Sequence, residues 1–321
     1  MNRRTLVAAA LAACTLGLAA PALADTYPTK PVTIIIPFPP GGTLDVVGRM
    51  LAQKLTEQMG QSFVVDNRPG AGGTIGATMV KNARPDGYTL LFSPSTFVST
   101  PMTMPSQPYD AVKDFTPVAL VAKAPLAVAV RNELPFNDVK GMIAYAKANP
   151  GQMTFAIGSS ASAGHMSTEL LKRAGGIDYL IVPYKGSGPA YQDLIGGRID
   201  AFIDPILGSS GHAKAGKLKV IAVTSKERVP SLPNTPTVGE TIQGYEFFSW
   251  YGLWGPAKMP REIAERLNAE VNKALNGEMK AKLTEQGLLL TPGSIEDFVK
   301  FQHDDTVQVT KIIKDANIRA E

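Results

Sequence analysis

Metal-ligating and thiol chemistry are almost absent from this 321-residue chain, which has one cysteine, Cys14, and three histidines, His165, His212 and His303. No two of those histidines stand at the short spacing of a zinc site and no cysteine accompanies them, so no metal centre is expected. A lone Cys14 also excludes a disulfide framework. Charge of one sign is lacking too: 32 Lys and Arg stand against 28 Asp and Glu. Without a concentrated basic surface, a nucleic-acid partner is not expected. The best candidate for a membrane span, Thr5 to Ala20, has 16 residues and is rich in alanine, short of the roughly 20 that a bilayer core requires.

That same stretch has a recognisable order. Arg3 and Arg4 precede the uncharged run, and Pro21 and the triplet Ala22-Leu23-Ala24 follow it before Asp25. Basic, apolar and small-residue regions in this sequence read as a cleavable secretory signal over residues 1–24, cut after Ala24, which predicts a periplasmic protein. Two refinements share the stretch. Leu11-Ala12-Ala13-Cys14 resembles a bacterial lipobox, which would make Cys14 a lipidated first residue, although only nine apolar residues would precede it. Arg3-Arg4-Thr5-Leu6-Val7 has the shape of a twin-arginine signal. Cleavage after Ala24 lowers the formal net charge from +4 to +2 and removes the only cysteine. Stability must then come from packing, and 44% hydrophobic residues suffice for one large or two medium cores without covalent staples.

Along the chain, short apolar runs alternate with Gly/Ser/Pro loops and amphipathic segments. Val32 to Ile36 is apolar almost throughout, as a strand buried on both faces of a parallel sheet would be. Val46, Val47, Met50, Leu51 and Leu55 then recur at helical spacing. Phe63-Val64-Val65, Thr89 to Phe92, Thr154 to Ile157 and Leu180 to Val182 repeat the plan. The pattern predicts α/β architecture with mostly parallel sheets. Val118 to Val130 and Leu218 to Thr224 bracket about 100 residues with their own strand–helix alternation, enough for a separate core. The expected organisation is a first lobe of residues 25–120 and 225–321 and a second lobe of 121–224. Two crossing segments would form a hinge, with a ligand cleft between the lobes.

Three loops carry candidate chemistry. Pro37-Phe38-Pro39-Pro40-Gly41-Gly42-Thr43 joins a buried strand to a helix start, where unpaired N–H groups and partial positive charge favour an anion. Thr43 or Asp45 could cap that helix. Asn67 to Gly76 repeats the chemistry with more glycine and a helix expected from about Thr74. Neither loop is a nucleotide motif, because no Lys follows the glycines and Gly70, Gly72 and Gly76 miss the dinucleotide spacing by one residue. Each could also be a plain strand-to-helix turn. The third loop, Gly158-Ser159-Ser160-Ala161-Ser162-Ala163-Gly164-His165, admits a serine-hydrolase alternative using Ser159 or Ser162 with His165. Against it, the chain contains no Gly-x-Ser-x-Gly elbow and places no acid for the histidine. Hydroxyl and amide donors to a carboxylate suit this loop better. Asp204, at the expected C-terminal end of a strand, could meet a cationic or hydroxyl group of a ligand or start a turn before Pro205. Trp250 and Trp254 read as packing residues more readily than as a ligand wall.

At these residues the sequence resembles the Bug family, the periplasmic solute-binding proteins of tripartite tricarboxylate transporters. The stretches PFPPGGTLDVVGR, VDNRPGAGGTIGA, ARPDGYTLLF, GSSASAGHMSTELL, VPYKGSGPAYQDLIGGRIDAF, LKVIAVTSKERVPSLPNTPTVGE and WYGLWGPAKMP carry the resemblance in order along the mature chain. It implies a type II periplasmic-binding fold and a receptor, not an enzyme. No cofactor is implied. A small organic carboxylate would be held between the first loop and the facing loop of the second lobe, and a monomer would deliver it to the membrane subunits of the transporter. Position by position it points to Phe38, Gly42, Thr43, Asp45, Gly73, Thr74, Ser93, Ser159, Ser162, His165 and Asp204 as ligand-binding residues. Ser160 and Ala161 stand where the family more often has glycine, and Gly48 where it has alanine.

Overall fold

A computed structural model describes residues 27–319; the signal-peptide, lipobox and twin-arginine readings fall outside them. The first strand, β1 (Val32–Ile36), lies between β2 (Phe63–Asn67) and β3 (Thr89–Pro94), parallel to both. Its isoleucines are fully buried, with Ile34 and Ile36 facing one core and Ile35 another. Helix α1 (Thr43–Met59) presses Val47, Leu51, Ala52 and Leu55 onto that sheet and ends at Gly60, whose left-handed conformation lets its N–H reach the Thr56 carbonyl. Gly48 permits the close approach: a Cβ there would lie 2.6 Å from Ile36 Cδ1 and 2.9 Å from Phe92 Cδ1. Two shorter helices follow, α2 (Thr74–Lys81) and α3 (Thr96–Thr103).

The second unit repeats the strand–helix plan with α4 (Val139–Ala148), β5 (Thr154–Ile157), α5 (Ala163–Gly175), β6 (Leu180–Pro183), α6 (Ser187–Ile195), β7 (Ala201–Pro205) and α7 (Ile206–Lys214). Here β5 pairs in parallel with β6 and β7. Tyr179 stacks on Phe155 at 4.0 Å inside this core.

One long strand joins the units. In β4 (Phe115–Val130), residues up to Pro125 pair with β9 (Phe248–Pro256), and Leu126 to Val130 pair with β7. Each half also takes a second partner, the later half β8 (Lys219–Val223) and the earlier half the short β10 (Leu289–Leu290). The strand path is β2-β1-β3-β9-β4-β7-β5-β6. Where β4 changes partners, Thr224 ties both crossings together. Its hydroxyl meets the Leu126 N–H at 2.8 Å and donates to the Phe247 carbonyl at 2.6 Å. Two α/β lobes joined by two hinge strands define a type II periplasmic-binding fold.

Packing departs from a clean division at residues 120 and 224. Val238, Tyr245 and Phe247, which follow the second crossing, pack into the second core. The last helices are α8 (Arg261–Asn276), α9 (Glu278–Glu285) and α10 (Ile295–Ala316). Helix α10 belongs to both lobes: Phe298 packs with Trp250 and Trp254, whereas Val309 and Ile313 join the second core. The two tryptophans are almost fully buried, 5.9 Å apart, within an aromatic cluster of the first lobe. Among the described residues no helix is long and apolar enough to cross a membrane, and no cluster of three metal-ligating side chains occurs.

Candidate functional site

Between the lobes lies a cleft of about 430 Å³, a size suited to a small metabolite. Its first wall is backbone. Gly42 is the N-cap residue of α1 and no side chain among the described residues caps that helix, so first-turn N–H groups remain available at the cleft. Asp45 does not cap it either. Its carboxylate turns back to accept from the Gly41 N–H (3.1 Å), Arg49 Nε (3.0 Å) and Asn67 Nδ2 (3.0 Å). Although burial opposes ionisation, these donors hold the carboxyl below the usual range. Asn67 also donates to the Phe38 carbonyl at 3.0 Å, so one network clamps both ends of the loop. Gly41, at φ +93°, makes the turn. Behind the helix start, the Thr43 and Tyr251 hydroxyls are buried without hydrogen-bond partners among the described residues, and both residues line the cleft.

The second wall is built from side chains. Ser162 caps α5, its Oγ accepting from the His165 N–H at 3.1 Å. Ser187 and Tyr191 of α6 donate to Asp204 at 2.9 and 3.1 Å. Helix α6 also lacks a side-chain cap at Gly186, giving the cleft a second open helix N-terminus. The walls meet at the mouth, where a Cβ on Gly186 would lie 3.7 Å from Pro39 Cγ. A further crossing contact runs from Ser99 Oγ of α3 to the Ala161 carbonyl at 2.7 Å.

Of the residues expected at the site, Phe38, Gly42, Thr43, Ser159, Ser162 and Asp204 line the cleft. The other five do not, each for a local reason. Asp45 faces into its own loop. Gly73 sits behind Phe38, where a Cβ would be 3.1 Å from the ring. Thr74 donates its hydroxyl to the Ala71 carbonyl at 2.9 Å. Ser93 is buried in β3 opposite Gly252, and its successor Pro94 lines the cleft instead. His165 is buried and its Nδ1 accepts from the Ala161 N–H at 3.2 Å.

This last contact removes the hydrolase alternative. Burial pushes the imidazole down to about 4, too weak a base for serine activation near neutral pH. Its Nδ1 is engaged by backbone and Ser162 Oγ serves as a helix cap. Asp204 lines the cleft from the end of β7, and instead of opening a turn it is followed through Pro205 directly by α7. A fourth segment, Lys185 to Pro189, which runs into the first turn of α6, lines the cleft as well. In the sequence, Gly186-Ser187-Gly188-Pro189 reads only as helix punctuation; the glycine-rich start after a strand is the signal that could have revealed it. Tyr191, Ser249 and Tyr251 reach the cleft by tertiary packing, without a local signature.

A two-lobed fold with a glycine-rich helix start on each side of an interlobe cleft is that of a solute-binding receptor. The chain belongs to the tripartite tricarboxylate transporter family of receptors, whose profile matches residues 47–318. It is 36% identical over 322 residues to a protein from the tcbD–tcbE intergenic region of Pseudomonas sp. strain P51, covering 99% of this chain and 96% of the relative. BugT of Bordetella pertussis is 37% identical over 308 residues, at 92% and 93% coverage. Among solved structures, R. palustris Rpa4515 with adipate superposes with a TM-score of 0.88 at 36% identity, covering 92% of this chain and all of that one. MatC of Rhodopseudomonas palustris with bound malate gives 0.82 at 30% identity, with 89% and 100% coverage. Like the rest of its family, the chain is a receptor and not an enzyme.

Proposed function

We propose that the protein captures a small organic carboxylate in the cleft and delivers it to the membrane subunits of a tripartite transporter. The observation that carries this reading is the open N-terminus of α1 at the cleft, with no side chain occupying its first-turn N–H groups. Such a terminus favours an anion by geometry and by its partial positive charge. Phe38, Gly42, Thr43, Ser159, Ser162 and Asp204 are the proposed contacts. The bound adipate and malate of the two R. palustris relatives support the ligand class. Residues 1–24 act as the export signal, and the mature protein works in the periplasm as a monomer, residues 25–120 and 225–321 forming most of one lobe and 121–224 most of the other. The test is thermal shift of the mature protein against organic acids and their neutral amides. At about 100 times its dissociation constant, a bound acid adds about 2.7 kcal/mol of stability. Amides should bind far more weakly, and equal affinity for acid and amide would overturn the reading. Intact-mass analysis should place the mature N-terminus at Asp25; a diacylated Cys14 would show tethering instead.

A further inference from the structure

Asp204 stands where helices begin. Ser187, in the first turn of α6, donates to its Oδ1, and Tyr191, one turn later, to its Oδ2. Helix α7 starts two residues beyond it, at Ile206. Gly208 of that helix leaves room for the carboxyl group, since a Cβ there would lie 2.8 Å from Asp204 Oδ2. Only 9% of Asp204 is exposed, and it lines the cleft.

No basic side chain pairs with Asp204 among the described residues. The other titratable groups lining the cleft are Lys185, His212, Tyr191 and Tyr251. Lys185 is exposed at the mouth. His212, on α7, stacks beside Tyr191 with ring centroids 5.0 Å apart, and desolvation with the Lys217 charge lowers its basicity. Burial keeps both phenols neutral, and the nearby Asp204 reinforces it. Burial also pushes the Asp204 carboxyl up to about 7, against the pull of its two hydroxyl donors. A carboxylate entering the cleft adds a second negative charge to the same low-dielectric space, where two neighbouring acids resist joint ionisation.

We propose that Asp204 is the specificity-determining residue of the cleft, taking up one proton from solvent as a carboxylate binds and then donating its O–H to a ligand oxygen. This rests on the carboxylate reading above. It assigns the site to acids that carry a second hydrogen-bond acceptor, and against ligands that bring an ammonium group to Asp204, which would need the aspartate ionised.

The probe is adipate, titrated by calorimetry into the mature protein in buffers of different ionisation enthalpy. Binding should be about 30-fold weaker at about pH 8.5 than at about pH 6, with net proton uptake at the intermediate pH. Asp204→Asn should bind adipate with neither the pH dependence nor the proton uptake. Tyr191→Phe, which removes one donor to the carboxylate, should move the transition to higher pH and covers the case of a poorly folded Asn variant. Adipate binding with no proton uptake in the wild type would overturn the proposal. So would loss of adipate binding in a folded Asp204→Asn variant at every pH, since an amide that can also donate to the ligand oxygen would then fail to replace the protonated aspartate. If adipate does not bind at all, the carboxylate reading is what suffers. Carbon-13 titration of Asp204 in the ligand-free protein then decides the proposal: a midpoint near 7 sustains it, and one in the ordinary carboxylate range overturns it.

Discussion

The two walls of the cleft solve different problems with different materials. The first offers main-chain N–H groups on a loop held from behind by Asp45, Arg49 and Asn67. Its chemistry is nearly independent of pH near neutrality, because Asp45 stays ionised there. The second adds to its own open helix start at Gly186 the side chains of Ser162, Ser187, Tyr191 and Asp204, one of which titrates near neutral pH. A backbone wall can hold any carboxylate; a side-chain wall can change its demands by a single substitution. On the proposed function, generic capture would belong to the first lobe and selection to the second.

Substitutions of two glycines would break the comparison most sharply. At Gly42 an added Cβ meets nothing within 4 Å, and the backbone there is extended, so a larger residue fits the fold. Gly42→Val should leave the melting temperature nearly unchanged while placing its methyls where an acid must approach. The loss of two charge-assisted hydrogen bonds, each worth about 1.5–3 kcal/mol, predicts at least about 100-fold weaker binding by calorimetry. Gly164, in the second wall, has the opposite character: an added Cβ would lie 2.3 Å from the Ile203 carbonyl oxygen. Gly164→Ala should destabilise the fold by about 2 kcal/mol or more through overpacking, read from denaturant unfolding. Comparable losses of stability from both substitutions would show the walls to be alike.

Asp204 sharpens the contrast in pH. Its folded-state value of about 7 lies above the ordinary carboxylate value, so the native state binds the extra proton between roughly pH 4 and 7. The resulting stabilisation is full below that window and is lost as pH rises through 7. Wild-type protein without ligand should lose roughly 2–3 kcal/mol from this group between about pH 5 and pH 8. Asp204→Asn should lack that loss, as denaturant titrations at the two pH values would reveal.

The strand–helix units are legible in the sequence because their signals are local. Val32 to Ile36 needs burial on both faces whatever its neighbours, and Gly41-Gly42 before an amphipathic stripe marks a helix entrance. What is not legible depends on distant partners. Asp45 has the right chemistry for a cap, and only the folded position of Asn67 and Arg49 shows why it turns away from the cleft. Tyr251 looks like one more apolar residue of β9 until β4 and β3 fix which face it presents. Helix α10 follows the first lobe in sequence, yet its last turns pack on the second, a choice set by the 22-residue length of the helix and the position of the hinge beneath it.

The smallest effect concerns His165, and it tests whether the second wall is braced from behind as the first is. The buried imidazole takes the Ala161 N–H on Nδ1, which leaves its own proton on Nε2. Ala161 sits at φ +56°, an uncommon conformation for alanine, and its carbonyl receives Ser99 from across the cleft. His165 thus steadies the turn between Ser159 and Ser162, as Asp45 steadies the first loop. Its folded-state value of about 4 lies below the ordinary 6.5. The unfolded chain therefore binds more protons between those values, and the contribution present above about pH 6.5 is lost as pH falls toward 4. His165→Ala should cost about 1–2 kcal/mol near pH 7 by leaving the Ala161 N–H unpaired, and should flatten the acid limb of stability. His165→Asn, which offers a non-titrating acceptor, should recover part of the loss while keeping the limb flat. Ligand affinity should change by no more than about threefold, since weak second-row support rather than a ligand hydrogen bond is removed. A large fall in affinity at unchanged stability would move His165 from the brace into the cleft.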